Sequence, residues 1–132
     1  MRWILGLLLL LSLAGCGRGD KDLPDVAMEL VVSPEPPQLG PAAIAVTLHD
    51  ARGDPIRGAR VTLEGNMNHA GMVPVFADAV EVTPGRYQAN MEFTMGGDWF
   101  ILVHADLPDG RSMERNIDIP GVDAICGDTP TP

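Results

Sequence analysis

The sequence predicts an all-β domain, an immunoglobulin-like antiparallel β-sandwich of about seven strands. Three observations carry that expectation. Apolar residues recur with period two in short runs, the signature of strands with one buried face. Clusters rich in Gly, Pro and Asp ("PEPPQLG", "ARGDP", "TPGR", "MGGD", "LPDG") separate the runs, as turns do. No stretch between them carries an apolar stripe at helical spacing, and many short strands parted by turns form a sandwich.

In order, "AMELVVS" puts Met28, Leu30 and Val32 on one face. "AAIAVTLHD" directs Ile44, Val46 and Leu48 inward, and "ARVTLEG" does the same with Val61 and Leu63. "VFADAVEVT" is a weaker strand of mixed pattern. "RYQANMEFT" sends Tyr87, Ala89, Met91 and Phe93 to one side, and Tyr87, just past a Pro-Gly turn, is placed for a tyrosine-corner bond. "DWFILVHAD" alternates Trp99, Ile101 and Val103 with Phe100, Leu102 and His104, apolar on both sides as in a central strand. "RSMERNIDI" closes the set with Met113, Ile117 and Ile119. Burying residues such as Trp99, Phe93 or Ile101 stabilises by about 1.5–3 kcal/mol each, so the core needs no metal or disulfide.

The ends read differently. Residues 1–15 form a signal peptide: Arg2, then an apolar run, then small residues before Cys16. "LAGC" resembles the bacterial lipobox, which makes Cys16 the lipidation site and the first residue of the mature chain. The expected location is therefore extracytoplasmic and lipid-anchored to a bacterial membrane. Gly17 stands where an aspartate would favour inner-membrane retention, which points to the outer membrane or cell surface. Residues 16–26 read as a tether, 27–120 as the domain and 121–132 as a flexible tail. With Cys16 acylated, Cys126 has no second cysteine to pair with and reads as a free thiol.

Charge excludes one class of partner. Cleavage before Cys16 removes one base, Arg2, and no acid, leaving eight bases against eighteen acids, a net −10 that repels nucleic acid. The inventory also argues against an enzyme. After Cys16 the only serines are Ser33 and Ser112, neither in a nucleophile-elbow pattern, and His49, His69 and His104 lack metal-ligand spacing. His104 reads as a hydrogen-bonded structural histidine and His49 as solvated; Met28, Met91 and Met113 read as packing residues.

One loop stands apart. "NMNHAGM" carries Met67, His69 and Met72 between the third and fourth strands, and Met95 lies in the later turn "TMGGDW". Thioether and imidazole suit a soft ion such as Cu(I), and a thioether resists the oxidation that consumes a thiol outside the cell. The same residues equally suit plugging the open end of a sandwich, which methionine does well.

"SPEPPQLGPAAIAVTLHDARGDPIRGARVTLEGNMNHAGM" followed by "TPGRYQANMEFTMGGDWFILVHA" resembles the YtkA-like/FixH-like family of exported domains, over about Met28 to Ile119. The resemblance implies an immunoglobulin-like sandwich and a link to copper or heavy-metal handling and to terminal-oxidase assembly. Carried onto this chain, it marks Met67, His69, Met72 and Met95 as the metal positions. The expected function is copper binding by an anchored domain that buffers the ion or hands it to a copper-handling or efflux partner. The alternative is a metal-free module whose loop docks onto an efflux or oxidase-assembly component.

Overall fold

The computed structural model describes residues 22–123, so Cys16, the signal sequence, most of the tether and Cys126 lie outside the described residues. Seven strands follow one another: β1 (Val26–Ser33), β2 (Gly40–Asp50), β3 (Arg60–Met67), β4 (Val75–Thr83), β5 (Arg86–Phe93), β6 (Gly97–Asp106) and β7 (Ser112–Val122). Each expected run is a strand. The bounds shift by a few residues at most, because turn residues such as Gly40 and Gly97 join the ladders.

All neighbouring strands are antiparallel, in the order β1-β2-β5-β4-β3-β6-β7. The groups β1-β2-β5-β4 and β3-β6-β7 reproduce the two sheets of an immunoglobulin constant-type domain. What departs from that plan is β4, which joins them. Its first half pairs with β3 from Val61↔Ala79 to Gly65↔Val75, and its second half pairs with β5 from Val80↔Gln88 onward. A bulge between Glu81 and Thr83 accompanies the change of partner, as bulges accompany sharp twist. The sheet therefore wraps almost fully around one core.

That core follows from alternation. β5 is the simplest case, with Tyr87, Ala89, Met91 and Phe93 buried and every residue between them exposed. Ile44, Val46 and Leu48 of β2, Val61 and Leu63 of β3 and Trp99, Ile101 and Val103 of β6 meet them. Phe93 and Trp99 pack edge to face at 5.1 Å between ring centroids. Phe100 and Leu102, on the outer face of β6, are half-buried, so the strand that reads as apolar on both sides keeps its second face partly in water.

The two edge strands, β1 and β7, do not pair along their length. Arg111 bridges to Asp25, and Arg115 reaches Asp22 and the Met28 carbonyl, so residues 22–25 lie against β7. At the opposite end the Leu39 N–H donates to the Asp123 carbonyl at 2.8 Å, and the Asp123 N–H donates to that of Pro37 at 3.1 Å. Between these fastenings lies a groove of about 350 Å³ floored by Leu30, Val32, Ile117 and Ile119.

Tyr87 makes a buried hydroxyl bridge, though not the expected tyrosine corner. Its hydroxyl donates to the Ile56 carbonyl at 2.8 Å and accepts the Ala59 N–H at 2.9 Å. The bridge ties β5 to the β2–β3 connection, about thirty residues upstream, rather than to its own turn. Burial pushes its phenol up from the ordinary value.

Candidate functional site: the methionine end of the sandwich

Consecutive antiparallel strands alternate in direction, so the β1–β2, β3–β4 and β5–β6 connections share one end. Met67, His69 and Met72 in the second of these, and Met95 in the third, are therefore brought to the same end of the sandwich. His49 and His104 are not. His49 lies at the far end of β2, half-buried, with its backbone bridged to Pro55. His104, on the outer face of β6, pairs through Nδ1 with Glu114 at 3.2 Å, as its reading as a structural histidine expects.

Within the site the four residues divide. Met67 ends β3 opposite Trp99, and its side chain packs half-buried against the core. Its methyl lies beside Gly97, where an added Cβ would come within 3.0 Å of Cε. Gly97 has φ +125°, a left-handed conformation that also favours glycine, so both the space and the backbone of "MGGD" suit Met67. Met72 is likewise half-buried against the core.

His69 and Met72 face each other across a tight turn. The Met72 N–H donates to the His69 carbonyl at 3.3 Å, and Gly71 adopts φ +82° at the third position, as a type II turn requires. His69 is exposed. Met95 is 39% exposed, and its carbonyl accepts the Trp99 indole N–H at 2.8 Å, which anchors its turn to the core. The end thus presents His69 and Met95 to solvent and packs Met67 and Met72 half-buried against the core.

Among the described residues, no three His, Cys, Asp or Glu side chains form a group that could hold a metal ion. Met67, His69, Met72 and Met95 offer three thioethers and one imidazole, a set that matches a soft monovalent ion better than Zn(II), Ca(II) or Mg(II).

A second feature escapes the sequence pattern. Val73, Phe76, Val80 and Val82 are exposed on the outward face of β4 and the loop before it. "VFADAVEVT" offers apolar residues in both phases, and the structure turns the smaller set, Ala77 and Ala79, inward.

The strand order and the methionine-bearing end define an immunoglobulin-topology sandwich. The YtkA-like family model matches residues 20–104, and the chain belongs to that family. Among solved structures the chain is similar to the soluble domain of PmoD from Methylocystis sp. ATCC 49242 (Rockwell). That likeness has 12% identity and a TM-score of 0.49, and covers 79% of this chain and 96% of that one. No curated protein matches the chain.

Proposed function

We propose that this YtkA-like protein is a lipid-anchored extracytoplasmic copper-binding protein that takes up Cu(I) at the methionine end of its sandwich. One observation supports the reading: the alternation of strands brings the turn of Met95 to the end that carries the loop of Met67, His69 and Met72. His69 and Met95 are open to an arriving ion, and Met67 and Met72 supply further sulfur at the same surface. Neutral soft donors favour Cu(I). Ligands that need no deprotonation exchange readily, which suits a carrier that buffers an ion or hands it on more than a structural site. The core is complete without metal, so folding does not depend on copper.

The half-burial of Met67 and Met72 favours a second reading, in which the loop only seals the sandwich and the domain is a metal-free docking module. Titration of the purified protein with Cu(I) against a chromogenic chelator separates the two. Competition for the ion supports the copper reading, and a chelator signal unaffected by the protein rejects it.

A further inference from the structure

We infer that the outward face of β4 is a docking surface for a basic, apolar segment of a partner protein. This inference does not rest on the copper reading. Val73 is 77% exposed, Phe76 71% and Val80 67%, and Val82 continues the row. Phe76 and Val80 lie on one face of β4 on either side of Asp78, about 13 Å apart at roughly 3.3 Å per residue, and Val82 lies just beyond, at the bulge. A lone exposed valine needs no explanation, but Val73, Phe76 and Val80 exposed together around one carboxylate mark an interaction site.

The rim identifies the partner's charge. Across the ladders Phe76 faces Glu64, Asp78 faces Thr62, and Val80 faces Gln88. Asp78 sits within the row itself. Among the described residues, neither Glu64 nor Asp78 pairs with a cation. Two carboxylates without a cationic partner, Glu64's accepting only the Asn66 amide N–H at 2.8 Å, attract Lys or Arg flanking an apolar segment. They also repel a second copy of this acidic chain and an anionic membrane surface. The surface runs directly into the methionine loop, since Val73 follows Met72, so a partner seated there lies beside that end of the sandwich.

The test uses an amphipathic Leu/Lys peptide and its Leu/Glu counterpart, each titrated into purified protein at low salt. Three proteins are compared: the wild type, Phe76→Thr/Val80→Thr and Glu64→Gln/Asp78→Asn. Threonine keeps the β-branched shape that strands favour, and both replaced side chains face water, so the first variant should retain the wild-type melting temperature. The expected result is wild-type affinity for the Lys peptide at least about tenfold above that for the Glu peptide, with a loss of about tenfold or more in Phe76→Thr/Val80→Thr. Glu64→Gln/Asp78→Asn should lose the preference between the peptides. Equal affinity of wild type and Phe76→Thr/Val80→Thr overturns the inference, as does equal binding of both peptides by the wild type. It is also overturned if that apolar variant abolishes either a wild-type dimer seen by sedimentation velocity or wild-type binding to phosphatidylcholine vesicles.

Discussion

Tyr87→Phe isolates one contact with little other disturbance. The ring is buried and keeps its packing in the variant; only the hydroxyl is lost. That oxygen serves two backbone groups, donating to the Ile56 carbonyl at 2.8 Å and accepting the Ala59 N–H at 2.9 Å. A buried group stripped of its partner costs about 1–3 kcal/mol, but Ile56 and Ala59 are half-exposed and water can partly replace the hydroxyl. The expected loss is therefore about 1–2 kcal/mol. For a domain of this size each kcal/mol lowers the melting temperature by about 4–8 °C. Urea and thermal unfolding measure it, and deuterium uptake should rise in residues 51–59. Because the bridge sits at the end of the sandwich away from the methionines, Cu(I) binding should be unchanged in the folded variant. A stability loss below about 0.5 kcal/mol would refute the claim that this bridge fastens the β2–β3 connection to the core.

Three further outcomes are expected. The Glu81 carboxylate accepts N–H groups from Gly85 at 3.0 Å and Gly58 at 3.2 Å, and these bonds, Gly85's foremost, hold it below the ordinary carboxylate range. A depressed folded-state pKa contributes stability above the ordinary value that is lost as pH falls through the folded value. The wild-type urea midpoint should thus fall more steeply than that of Glu81→Gln below about pH 4.3, and parallel curves would contradict this. Trp99→Phe removes the indole bond to the Met95 carbonyl and leaves a gap in the core, so it should destabilise by about 1–3 kcal/mol and raise deuterium uptake in residues 94–97; wild-type protection there would contradict it. Cys16→Ala should move the protein from the membrane to the soluble fraction, and membrane retention would contradict the lipid anchor.

Much of this architecture is legible in the sequence because period two is a strong signal where one face is buried. β5 is the best example, since Tyr87, Ala89, Met91 and Phe93 fix its phase without ambiguity. That Met95 and the methionine loop share one end is legible too, because alternating antiparallel strands put the first, third and fifth connections there. β4 is not legible in detail. Apolar residues in both phases leave its inward face undecided, and its switch from β3 to β5 depends on the twist of the whole sheet rather than on local residues. The reach of Tyr87 to Ile56 and Ala59 is likewise a long-range contact that spacing does not encode. At the candidate site, "HAGM" announces a glycine turn, but the packing of Met67 against Gly97 emerges only when β3 and β6 pair.

That packing also decides how the copper claim is best tested. Met67 and Met72 contribute to the core, so alanine at either position would open a cavity and confuse ligand loss with unfolding. Leucine has nearly the same volume and no donor sulfur. The direct measurement is Cu(I) competition against a chromogenic chelator by wild type and by Met67→Leu/Met72→Leu, with His69→Ala and Met95→Leu in parallel and melting temperatures recorded for each. The account predicts that the wild type withdraws Cu(I) from the chelator and that the double leucine variant, still folded, withdraws at least about tenfold less effectively. Equal competition by wild type and the folded double variant would contradict it.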